Sequence, residues 1–202
     1  MIPIIGFTAL PMSANDIGDE ANKILRKHQG SVLFRPESVN VEWLVELVLS
    51  EYGYCMELKP DTYFADDIEA VTDFQTRKVY IREDTYNKLE KDDGRARYTL
   101  AHECGHVVLH TEQWLQKLAT AARAVDITKV KPFISPEWQA NKFAAVLLMP
   151  EQTFWPAYCD LVQEQDMLNG FEIQELASIF KVSWTAVEKR IESLRKKKGL
   201  LM

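Results

Sequence analysis

A chain of 202 residues with 47% hydrophobic and 27% charged residues can bury a core as one domain, with or without a small appendage. Its formal net charge of −6 excludes a protein built to coat nucleic acid, because such affinity rests on neutralising phosphates. No run approaches the roughly 20 apolar residues that span a bilayer, and three widely spaced cysteines (Cys55, Cys104, Cys159) give no disulfide framework and suit a reducing cytoplasm. Each cysteine reads as a small buried hydrophobe. The apolar start, Met1 to Phe7, has no basic residue before it and no small-residue cleavage site, so it does not read as a signal peptide.

In chain order, residues 13 to 29 predict a first helix. Ser13 or Asn15 caps it, Ile17, Ala21, Ile24 and Leu25 form its apolar stripe, and Gly30 stops it. A second helix spans about 40 to 52, with Val41, Leu44, Val45, Val48 and Leu49 on one side. The period then shortens. Tyr54 to Leu58 is a candidate strand, and Ile68 to Phe74 and Lys78 to Arg82 form two more around a Gln75-Thr76-Arg77 turn. These three predict a small antiparallel sheet whose edge can hold an extended peptide by main-chain hydrogen bonds. A short helix over 84 to 91 breaks at Asp92-Asp93-Gly94, and a further helix follows from about Arg95 to Leu109, with His110 capping its end. The stretch from Thr111 to Lys131 reads as a connector, helical as far as Val125 and then a loop.

The helix over 95 to 109 carries His102-Glu103-Cys104-Gly105-His106, an H-E-x-x-H pattern. Side chains four apart lie one turn along the same helical face, so His102 and His106 can grip one Zn²⁺ while Glu103 reaches its water. Cys104 points to the opposite, apolar side. A catalytic zinc takes a third protein ligand and leaves one position open. Glu137 supplies it from the first turn of a helix that opens at Pro136 and closes before Pro150. Asn141, one turn on, can hydrogen-bond the far nitrogen of a ligand histidine or position its loop.

Tyr98-Thr99-Leu100-Ala101-His102-Glu103-Cys104-Gly105-His106, followed by Glu137-x-x-Ala140-Asn141-x-Phe143-Ala144-x-x-Leu147-Leu148-Met149-Pro150, resembles the ImmA/IrrE zinc metallopeptidases. The similarity covers both metal motifs and the layout from about residue 40 to 195. It departs at Cys104, where an aliphatic residue is usual, and in the long segment from Thr111 to Ser135. The resemblance implies zinc on the two histidines and the downstream glutamate, the motif glutamate as catalytic base, and a helix-turn-helix repressor as the protein acted upon.

From Gly170 two short helices meet at Lys181-Val182-Ser183, with Ser183 capping the second. Ala177, Val182 and Val187 have helix-turn-helix spacing, although Lys181 stands where such turns prefer glycine. Lys189, Arg190 and the tail Arg195 to Lys198 offer a DNA contact. Glu188 in the would-be recognition helix and the acidic overall charge favour a hairpin packed on the core instead.

The sequence therefore predicts an α+β, mostly helical, zincin-like metallopeptidase: an N-terminal helical extension (1–38), an H-E-x-x-H core (39–160) and a C-terminal helical hairpin with a basic tail (161–202). One Zn²⁺ per chain sits on His102, His106 and Glu137, with Glu103 catalytic. The protein is expected to be a cytoplasmic endopeptidase that cuts a regulatory protein, a helix-turn-helix repressor or antitoxin-like partner, in an anti-repressor role. The rival readings are a binding module that sequesters a transcription regulator and a DNA-binding regulator.

Overall fold

The computed structural model describes residues 9–120, 132–162 and 170–200. The order is α1 (Ala14–His28), α2 (Val41–Glu51), β1 (Cys55–Lys59), β2 (Ala70–Asp73), β3 (Lys78–Arg82), α3 (Glu83–Leu89), α4 (Gly94–Thr120), α5 (Pro136–Leu148), α6 (Glu151–Val162), α7 (Gly170–Phe180) and α8 (Trp184–Lys197). Ser13 caps α1 in a reciprocal pair with Asp16, which satisfies two backbone donors at the helix start. Asn40 caps α2 in the same sense, by accepting from the Trp43 amide. The fold is mostly helical with a small three-stranded sheet, as the sequence predicts.

The sheet differs in one respect. β2 and β3 form the expected antiparallel hairpin, and Asp73 Oδ1 accepts from the Gln75 and Thr76 amides in its turn. β1, however, pairs parallel to β3, so the strand order is β1-β3-β2 and the sheet is mixed. The chain crosses over residues 60–69 to the far edge before the hairpin returns it to the centre. Strands next to each other in sequence are therefore not all neighbours in space.

α4 runs 27 residues, well past the predicted end at Leu109, so His110 is an interior residue of the helix and not its cap. The predicted helix over 111 to 125 merges with α4 as far as Thr120, and the rest of that connector, 121 to 131, lies outside the described residues. The core is continuous. Ile17 and Leu25 of α1, Leu44 and Val48 of α2, Val79 of β3, Val107 of α4 and Phe143 and Leu147 of α5 are all fully buried in it. Leu176 and Phe180 of α7 and Val187 of α8 extend the same cluster, so the C-terminal hairpin shares the core. Of the cysteines only Cys104 is buried; Cys55, at the start of β1, and Cys159, on the outer face of α6, are exposed.

Two contacts seat the hairpin. Lys181 has φ 50°, the left-handed conformation that glycine adopts without cost. Its carbonyl accepts from Arg97 Nε at 2.8 Å and its ammonium meets Asp92 at 2.6 Å. Gly94 opens α4 where a Cβ would lie 2.5 Å from the backbone of Val182 and Ser183. A side chain at that position would push the hairpin off the body.

The decisive packing is between α4 and α5. A Cβ on Gly105 would lie 3.1 Å from the Ala140 Cα, 3.2 Å from the Ala140 carbonyl oxygen and 3.1 Å from Phe143 Cδ1. Two of those three atoms are backbone and cannot swing aside. Gly105→Val is expected to cost about 1–3 kcal/mol of stability by overpacking, exceeding its small gain in helix propensity. Urea denaturation checks this, and an unchanged midpoint would contradict the close approach.

Candidate metal centre

The site forms where α4 and α5 cross beside the hairpin β2–β3. His102 and His106 come from consecutive turns of α4, and their Nε2 atoms converge to 3.0 Å. Glu137 stands in the first turn of α5, behind Pro136 and the cap Ser135, whose hydroxyl accepts from the Trp138 amide at 3.3 Å. One carboxylate oxygen lies 3.3 Å from His102 Nε2 and the other 3.4 Å from His106 Nε2. These three side chains are the group that could hold a metal ion among the described residues.

The spacing can be tested against the chemistry. Four tetrahedral donors at about 2.0–2.2 Å from zinc lie about 3.3–3.6 Å from one another. Both Glu137 contacts fall in that range, and the histidine pair needs to open by only about 0.3 Å to meet it. Two imidazoles and a carboxylate are also a donor set that zinc accepts. The residues present fit the ion.

Electrostatics around the three donors agree. Hydrogen bonds from His102 and His106 hold the Glu137 carboxyl well below the usual carboxylate range, against the opposing effect of burial. Burial pushes the His102 ring down. The hydrogen bond to Glu137, the charges of Glu103 and Glu137 and a hydrogen bond to Asn141 outweigh it and raise the ring overall. Asn141 also donates from Nδ2 to the Glu137 carbonyl at 2.8 Å, closing a small loop across the start of α5.

Glu103, one residue from His102, is 6% exposed. Its Oε2 accepts a 2.6 Å hydrogen bond from the Thr72 hydroxyl on β2. β2 is an edge strand, so the sheet fixes the direction in which the carboxylate points. Nothing in the sequence around Thr72 marks this role, because the contact spans 31 positions and joins a strand to a helix.

A second group behind the histidines was also not read from sequence. Gln139 is fully buried and its amide nitrogen donates to the carbonyls of Leu10 and Phe133 at 2.9 and 2.8 Å. Those two bonds use both amide protons and turn Oε1 toward His110 Nε2, 2.9 Å away. Burial pushes His110 down to about 3, so the ring is neutral. With Nε2 donating to Gln139, His110 Nδ1 must accept, and the His106 Nδ1–H lies 3.1 Å from it. The chain of donors thus keeps a proton on His106 Nδ1, so Nε2, the atom that faces Glu137, is the one that can offer a lone pair to an ion once it gives up the proton it shares with Glu137. His110 is therefore a brace for a ligand candidate rather than a helix cap. The i,i+4 spacing from His106 was visible in sequence, but its partner Gln139 was not.

The three donors and Glu103 line one long cleft of about 1010 Å³, bounded by β2 on one side and by α8 on the other. The would-be DNA-contacting helix therefore faces this cleft. Arg190 is 5% exposed, with Nε donating to the Met149 carbonyl at 3.0 Å.

Comparison with known proteins agrees with this architecture. The model of Peptidase_M78, the IrrE N-terminal-like domain, matches residues 73–192. No curated protein matches the chain. Among solved structures, a Mycobacterium tuberculosis transcriptional regulator is similar in fold, with a TM-score of 0.54 at 15% identity. The match covers 86% of this chain and 45% of that one, so this chain spans under half the length of that regulator.

The relay makes an expectation that needs no metal. Long-range ¹H–¹⁵N spectra of the metal-free protein should show His110 as the Nε2–H tautomer and His106 with its proton on Nδ1. A proton on His110 Nδ1 instead would break the chain at its second link.

Proposed function

This chain belongs to the Peptidase_M78 family, the IrrE N-terminal-like peptidases, and we propose that it is a zinc-dependent endopeptidase making one site-specific cut in a cytoplasmic regulatory protein, a helix-turn-helix repressor. The observation that carries the reading is the convergence of His102, His106 and Glu137 beside a buried, hydrogen-bonded Glu103. A structural zinc site has no use for a general base.

His102, His106 and Glu137 would hold the ion, with Asn141 and the Gln139–His110 pair fixing their orientation. Zinc at this place supplies a Lewis acid and lowers the pKa of bound water toward about 7. Glu103 takes the proton of the attacking water on the oxygen not engaged by Thr72, and later delivers it to the leaving amine. Thr72 keeps that carboxylate aimed through both transfers. β2 presents its edge to the cleft and can pair with an extended stretch of substrate by backbone hydrogen bonds. This holds a peptide bond near the ion without reading its side chains.

The regulatory substrate is supported by the family to which the chain belongs. A protease acting among its own host's proteins must be narrow in choice. No helix among the described residues is long and apolar enough to cross a membrane, which is compatible with action in the cytoplasm.

The test joins metal content to cleavage. Wild type and Glu103→Gln should each carry about one zinc per chain, and His106→Ala and Glu137→Ala should carry little. A helix-turn-helix repressor co-expressed with the wild type should be cut once, and with Glu103→Gln it should stay whole. Zinc retained by Glu137→Ala would remove the third ligand. A repressor bound by the zinc-loaded wild type and never cut would leave a sequestering module.

A further inference from the structure

Beyond the metal donors the cleft continues toward α8, and its character changes. Lys142 on α5 and Lys189 and Arg190 on α8 line this end. Arg190 is almost fully buried, yet its hydrogen bond among the described residues goes to a backbone carbonyl, Met149 at 3.0 Å. The acid that tempers its charge, Glu151, is engaged 2.7 and 3.2 Å away by Lys197 and Lys198. Lys142 donates to the Ser193 hydroxyl at 2.8 Å and lies 6.0 Å over the Trp138 ring, and no carboxylate of the described residues is bonded to it directly. Burial, and then the charges of Arg190 and Lys196, push its ammonium down, and the charge of Glu192 offsets this only in part. Lys189 is exposed at the same wall.

A buried guanidinium beside a half-buried ammonium is costly unless an anion completes the group. Among the described residues no carboxylate pairs directly with Lys142 or Arg190; Glu192 and Glu151 act on them only at longer range, in a chain whose net charge is −6. The opposite rim differs. Glu69, near the start of β2, is satisfied by Arg95 at 2.7 Å and by the Thr99 hydroxyl at 2.7 Å. With Arg95 taken up by Glu69, the remaining cations of the cleft are gathered at its α8 end.

We propose that Lys142, Lys189 and Arg190 form an anion-recognising subsite of the cleft that takes an aspartate or glutamate side chain of the bound polypeptide. The planar guanidinium matches a carboxylate in two-point geometry, and the two ammonium groups add charge from either side. The identity of the ligand as a polypeptide rests on the peptidase reading above. Nucleic acid phosphate carries the same charge, but Arg190 sits within a concave cleft, 5% exposed, where a duplex cannot follow it.

The experiment uses the full-length, zinc-loaded Glu103→Gln protein, immobilised and offered a degenerate decapeptide library, with the bound pool sequenced. Aspartate and glutamate should be enriched at one position by roughly tenfold, the scale of a charge-assisted hydrogen bond. The enrichment should fall severalfold in Lys142→Ala/Lys189→Ala and be lost in Lys142→Glu/Lys189→Glu, whose new carboxylates compete for Arg190. Arg190 is left unchanged because it braces the Met149 carbonyl. No acidic enrichment, or enrichment undiminished in the double alanine variant, overturns the subsite. So does tight binding of a 20-base-pair DNA duplex that the double variant loses. A selected acidic peptide that wild type binds and never cuts would instead contradict the peptidase reading and leave the subsite standing.

Discussion

The close crossing of α4 and α5 at Gly105 and Ala140 is the constraint on which the rest depends. With no Cβ on Gly105, the α5 backbone comes into contact with α4, and Glu137 at the mouth of α5 reaches the two histidines of α4. A single added methyl would have to be absorbed by backbone, and interiors packed at crystal-like density do not absorb it cheaply. The glycine of the H-E-x-x-H pattern thus acts outside the ligand set. It sets the distance between the two halves of that set.

A second consequence of the crossing is the buried polar path from the N-terminal segment to the site. Gln139 lies on the α5 face turned toward α4, fully buried, where an unpartnered amide would be costly. Leu10 and Phe133 take its protons and His110 meets its oxygen. The Ala9 and Met12 amides also donate to the carbonyls of Ile134 and Phe133, so the segment before α1 secures the loop that presents Glu137. Elements far apart in sequence therefore stiffen one carboxylate and one imidazole. Preorganisation of this kind lets a metal site bind its ion without first ordering its own ligands.

What could be read from sequence divides along the range of the interactions. His102, Glu103 and His106 share one helix, and their geometry follows from its 100° turn. The capping signal at Ser13 and the hairpin around residues 74–77 are equally local, and each lies where its residues predict. Glu137 was legible only because the first motif asked for a third ligand. Thr72, Gln139 and the clamp at Gly105 were not legible, because each acts on a residue brought near by packing. The mixed sheet escaped for the same reason: alternation reveals a strand and never its neighbour. The end of α4 was misplaced because His110 resembles a terminal cation, whereas burial keeps it neutral. Arg190 looked like a DNA contact because sequence shows its charge and not its depth.

The central claim is that two histidines of α4 and one carboxylate of α5 make a single ready-formed ion site. X-ray absorption at the zinc edge of the loaded wild-type protein tests it most directly. The account predicts two imidazole nitrogens at about 2.0–2.1 Å with only oxygen completing the shell at about 2.0–2.2 Å. A sulfur scatterer near about 2.3 Å, or a third imidazole, would contradict it by placing Cys104 or His110 on the metal and Glu137 off it.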